Sequence, residues 1–104
     1  MNTQEQMINL GYTNKSATTW RVYLGIKNQE TLEGMGYEND EWITFLQIQR
    51  LNWRLQKGAK GALIYYRATE ELVDEETGAV TKNEVYRPFT VFNMDEVIRP
   101  ESDS

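Results

Sequence analysis

Apolar and polar positions follow two different rhythms along this chain, and the change falls near Asn52. Residues 1–18 are polar with only scattered Met7, Ile8, Leu10 and Tyr12, which predicts a flexible arm with one short helical turn. Residues 19–32, "TWRVYLGIKNQETL", predict a helix, although Gly25 falls within it. "EGMGYEND" (33–40), with two glycines and an Asn-Asp pair, predicts a loop. The next helix has the clearest start. Thr44 can cap and Gln47 follows three residues later, with Ile43 and Ile48 at the positions of a hydrophobic staple. This predicts a helix from Phe45 to about Asn52, with Phe45, Ile48 and Leu51 turned toward the core.

Beyond Asn52 the alternation becomes that of strands. "WRLQ" and "ALIYYRA" flank "KGAKG", a pattern that predicts a β-hairpin with the Gly-Lys cluster at its tip. Thr77-Gly78, between polar runs, predicts a second and exposed hairpin tip. "VYRPFTVFN" (85–93) predicts the last strand, and Pro88 places an edge or a bulge there. "MDEV" predicts a final turn, and residues 99–104 a disordered tail. The expected fold is α+β: N-terminal helices packed on a three- or four-stranded antiparallel sheet, forming one domain over residues 19–98.

Composition narrows the chemistry. A chain of 104 residues has room for a single modest core, and three Trp, six Tyr and three Phe are large units with which to fill it. Cysteine and histidine are both absent. That removes disulfides, thiolate metal sites, the usual general base and the commonest metal ligand. No nucleophile–base arrangement stands out, so the expectation is a protein that is not an enzyme and carries no metal or cofactor. No apolar run approaches a membrane span and the N-terminus lacks a signal pattern, so a cytoplasmic protein without membrane contact is expected.

The formal net charge is −5, but charge is unevenly spread. Residues 42–67 carry Arg50, Arg54, Lys57, Lys60 and Arg67 and no acid, whereas residues 68–84 carry Glu70, Glu71, Asp74, Glu75, Glu76 and Glu84 against Lys82. "KGAKG" lacks the Gly-Lys-Ser/Thr ending of a nucleotide-binding P-loop. It also joins expected strands, not the two helices that a Gly-x-x-Gly nucleic-acid clamp connects. Basic residues beside aromatic strands match the design of single-strand binding, in which cations follow phosphates and exposed rings stack on bases. Trp53, Tyr65, Tyr66, Tyr86 and Phe89 supply rings; Arg54, Lys57, Lys60, Arg67 and Arg87 supply charge. The same rings are also what a small core needs, and adjacent Tyr65 and Tyr66 on a strand must point to opposite faces.

Three segments carry a resemblance. "RVYLGIKN" (21–28), "WITFLQIQRLNWRLQKGAKG" (42–61) and "RPFTVFNMDEV" (87–97) are similar, in the same order, to the N-terminal domain of ArdC antirestriction proteins. Arg21, Tyr23, Gly25 and Asn28 match its first element, with Lys27 as an extra residue. Trp42, Thr44, Phe45 and Gln47 match its helix start, Lys57, Gly58, Lys60 and Gly61 its basic loop, and Val91, Phe92 and Asn93 its final strand.

The resemblance implies a single-stranded-DNA-binding domain of plasmids and phages that protect incoming DNA from restriction, here without the histidine-containing metallopeptidase domain of longer relatives. The expected DNA-binding residues are Arg21, Tyr23, Asn28, Trp53, Arg54, Lys57, Lys60, Tyr65, Tyr66, Arg67 and Arg87. The alternative is an inhibitor of a host defence protein that acts through the acidic surface of Glu70, Glu71, Asp74, Glu75 and Glu76.

Overall fold

The computed structural model describes residues 3–100. In chain order the elements are α1 (Gln4–Asn9), β1 (Lys15–Ser16), α2 (Ile26–Gly34), β2 (Glu41–Thr44), α3 (Phe45–Arg50), β3 (Arg54–Leu55), β4 (Ala62–Val73), β5 (Val80–Asn93), a 3-10 turn (Met94–Glu96) and β6 (Val97–Ile98). The fold is α+β, as expected. The main sheet has the order β1-β2-β5-β4, and it is mixed because β1 runs parallel to β2. Among the described residues no helix is long and apolar enough to cross a membrane.

Both faces of the sheet are covered. Trp42 and Ile43 are consecutive on β2, must point to opposite faces, and are both fully buried. On one face Trp42, Ala62, Ile64 and Val91 pack with Leu32 of α2, joined by Tyr23, Met35, Tyr37 and Phe89. On the other, Ile43 meets Ile48 of α3 and Met94, with Trp53, Leu55, Phe92 and Val97 around them.

The capping box of α3 is present: Gln47 N–H donates to Thr44 Oγ1 (3.2 Å) and Thr44 N–H to Gln47 Oε1 (3.1 Å). The staple holds as well, since Ile43 and Ile48 share a cluster. The expected core face does not. Ile48 is buried, but Phe45 is 49% and Leu51 42% exposed. A helix of six residues meets the sheet along one narrow line, and the half-exposed Phe45 ring leans toward Phe92, with centroids 6.5 Å apart.

Three further expectations need correction. Helix α2 begins at Ile26 and not at Thr19, because Gly25 has φ +99°, a conformation no helix contains. Residues 16–21 instead form a tight loop in which Trp20 N–H donates to Ser16 O and Ser16 N–H to Arg21 O, both at 2.9 Å. The segment read as an arm does hold a helical turn, yet it is built into the body. A second Thr-x-x-Gln box, Thr3 with Gln6, caps α1, Met7 is fully buried, and Lys15–Ser16 joins the sheet.

Most consequentially, "KGAKG" is not a hairpin tip. β3 pairs with β6 in a separate two-stranded sheet, and the partner of β4 is β5. The loop instead crosses from one sheet to the other. A Cβ on Gly61 would lie 2.3 Å from Thr90 Cγ2 and 3.1 Å from the Phe92 ring, so only glycine allows that close approach.

The acidic hairpin is present, and it is long. β4 and β5 stay paired from Ala62↔Val91 to Val73↔Val80, while β2 covers β5 only at Val91–Asn93. The outer part is therefore a two-stranded ribbon projecting from the body, in a molecule measuring 61 × 32 × 26 Å. Pro88 lies where β5 has β4 on one side and no strand on the other, the edge position expected of it. Of the tail expected at 99–104, residues 101–104 lie outside the described residues.

Candidate nucleic-acid interface

A cleft of about 930 Å³ opens between residues 19–28 and the base of the ribbon. Its floor is a chain of three rings: Phe89 meets Tyr66 edge-on at 5.5 Å and Tyr23 at 6.2 Å. Tyr65, Arg67 and Tyr86 line it from the other face of the ribbon, so the cleft wraps round the outer edge of β4. Arg21, Lys27 and Arg67 are its cations, and its lining contains no Asp or Glu. In a chain with a net charge of −5 that is a marked local inversion. Arg67 also lies 3.7 Å from Glu84, in a solvent-exposed pair too weak to hold it against a better anion.

The cleft wall is fixed by buried polar chemistry. Gln29, fully buried on α2, donates to Asn14 O (2.9 Å) and Tyr23 O (2.7 Å) and accepts from Asn14 N–H (3.2 Å). Asn14 Oδ1 accepts in turn from Trp42 Nε1 at 2.8 Å. This network ties the 14–23 segment to both α2 and β2, and every member is satisfied.

Asn28 is a clamp of the same kind. Its amide donates to Leu24 O (2.9 Å) and Tyr65 O (2.7 Å), and its Oδ1 accepts from Tyr65 N–H (3.0 Å). Both amide hydrogens are thus engaged by backbone. Tyr23 is mostly buried, which pushes its phenol up to about 12; a hydrogen bond from Ser16 opposes the shift. Its ring is neutral at physiological pH.

The expected binding residues divide between two places. Arg21, Tyr23, Asn28, Tyr65, Tyr66 and Arg67 line the cleft. Arg87, opposite Tyr66 in the register, stands exposed on the same face just outside it. Trp53, Arg54, Lys57 and Lys60 belong to the other face of the sheet. Trp53 packs in the Ile43–Ile48 cluster with Arg99 over its ring at 5.2 Å, and the two lysines stand exposed on the crossing loop.

Two cleft-side residues were missed. Lys27, which lines the cleft, had read only as an extra residue in the first element. Trp20 is 64% exposed, with φ +62°, an uncommon conformation for a bulky residue, and the Lys15 ammonium sits 5.2 Å from its ring. It stands between Thr19 and Arg21, both of which line the cleft. A large ring beside a cation in "TTWRV" was the available signal, hidden by reading the segment as helix.

Residues 3–97 match the family described as the N-terminal domain of anti-restriction factor ArdC. The chain belongs to that family. Among solved structures it is similar to the antirestriction protein ArdC of plasmid R388, crystallised metal-free, with 28% identity and a TM-score of 0.69. The match covers 94% of this chain and 40% of that one, so the chain spans less than half of the ArdC protein it resembles. No curated protein matches it.

Proposed function

We propose that this ArdC N-terminal domain binds single-stranded DNA through the cleft, with little regard for sequence, as part of a plasmid- or phage-borne defence of incoming DNA against restriction in the host cytoplasm. The observation that carries the reading is the lining itself: three cations, four tyrosines and a phenylalanine, with no carboxylate, in an acidic chain. Arg21, Lys27 and Arg67 contact phosphates. Tyr65, Tyr66 and Tyr86, each about half exposed or more, offer stacking faces, which every base can use. Asn28 and Gln29 position the wall and read no base.

Anisotropy titration of a fluorescent oligo-dT at low and moderate salt tests this. Binding should weaken as salt rises, because each neutralised phosphate releases counterions. Arg21→Ala combined with Arg67→Ala should weaken binding strongly and lower the salt slope by about 2. Lys57→Ala with Lys60→Ala, on the other face, should change it little. Absence of binding at low salt sinks the proposal, and dependence on the loop lysines alone moves the site.

A second reading is favoured by the placement of the acids. Glu70, Glu71, Asp74, Glu75 and Glu76 all sit on the outer ribbon and its turn, away from the body, where a basic surface of a host defence protein could meet them. Asp74 is partly committed to the turn, since its Oδ1 accepts from Glu76 and Thr77 N–H. Loss of antirestriction on neutralising the four glutamates, with oligonucleotide binding intact, would favour this reading.

A further inference from the structure

The ribbon has two open edges, and they are built differently. Pro88 faces Tyr65 in the register and has no N–H to give, so that pair is not hydrogen-bonded and Tyr65 turns its N–H and C=O outward. Asn28 meets both of them there. By the same alternation Arg67, Thr69 and Glu71 turn their backbone groups outward, and among the described residues no backbone group meets them. The outer edge of β5 carries Pro88 and Lys82, devices that discourage strand addition. The β4 edge beyond Asn28 has no Pro, no Lys and no bulge, with a β-branched threonine at its centre.

We propose that two copies of this chain pair through these β4 edges, antiparallel and centred on Thr69. In this register Thr69 faces its own copy, Arg67 of each chain faces Glu71 of the other, and Tyr66 faces Leu72. The exposed pairs that Arg67 and Glu71 now make, at 3.7 Å to Glu84 and 4.0 Å to Lys82, are weak enough to be rearranged. Tyr66 and Leu72, 47% and 50% exposed, gain an apolar partner.

The charges select the register. Centring on Glu70 or Glu71 sets like carboxylates opposite one another. Asn28 already holds the edge groups of Tyr65, so the new ladder ends at Arg67; centring on Thr69 then joins three open pairs and centring on Ala68 only two. The result is a continuous four-stranded ribbon with two-fold symmetry and no long open β4 edge.

Sedimentation velocity across a concentration series tests this on the free protein. The wild type should show a monomer–dimer equilibrium. Arg67→Glu and Glu71→Arg should each weaken it by about tenfold, from two repulsive contacts per dimer. Combining the two restores complementarity and should restore the dimer, which also shows that the chain still folds. Thr69→Pro removes only an outward N–H and should abolish it. A monomer at the highest soluble concentration overturns the proposal, and so does a dimer indifferent to all four variants. The same register carries the second copy's acidic turn past Tyr65 toward the cleft mouth, so oligo-dT should dissociate the dimer. That consequence alone rests on the nucleic-acid reading, and failure there with the dimer intact counts against the cleft and not against the pairing.

Discussion

The body and the ribbon are made from the same two strands. In the body, Ala62, Ile64 and Val91 are buried beneath α2, and Phe92 packs on the α3 side. A few residues further out, β4 and β5 keep their ladder but lose both covering layers, and Leu72, Val73, Val80 and Tyr86 are each at least half exposed. Strand pairing is therefore not what separates the regions; coverage is. A two-stranded ribbon without a packed face is marginal by itself, and this one is held by its continuity with a sheet that is covered on both sides. The cleft lies where coverage ends, which is where rings can be partly buried for position and still exposed for contact.

The sharpest test of that contrast is in the body. Gln29→Leu would strand the Asn14 N–H and the Tyr23 carbonyl, leaving the Asn14 carbonyl only the Tyr23 N–H, and should cost about 2–4 kcal/mol in urea unfolding. The cleft wall should loosen first, seen as faster amide exchange across residues 14–23. Gly61→Ala comes next, at about 1–3 kcal/mol, because the Thr90 methyl and Phe92 ring must move aside. Smallest is ribbon shortening. Replacing residues 69–84 by Asn-Gly, closed on the Ala68↔Val85 pair, should change stability by less than about 1 kcal/mol while abolishing self-association. If shortening costs as much as Gln29→Leu, the ribbon is part of the folding unit and the contrast collapses.

Legibility in the sequence followed the range of the interactions. The Thr44–Gln47 box and the Thr77-Gly78 turn are made within a few residues, and both were readable. The Thr3–Gln6 box is equally local and carries the same signature, and it starts the short helical turn that the polar first segment predicts. Met7 is buried there by contacts from elsewhere in the chain, which no local pattern announces. The "KGAKG" segment carried correct turn chemistry, but turn chemistry does not name the partners of the flanking strands. β3 found β6, some forty residues on, and Trp53, Arg54, Lys57 and Lys60 of the expected binding set went to the opposite face with it.

The sequence by itself determined the α+β class, the capped start of α3, the exposed acidic hairpin and the edge role of Pro88, because each follows from backbone geometry and side-chain chemistry close in the chain. The tertiary structure alone decided which cations line one cleft. Arg21 and Lys27 line the same cleft as Arg67 because Asn28 ties α2 to the β4 edge and Gln29 ties residues 14 and 23 to α2. Each of those bonds joins groups that only the fold brings together, and the buried Gln29–Asn14 pair is strengthened by the burial that folding itself creates.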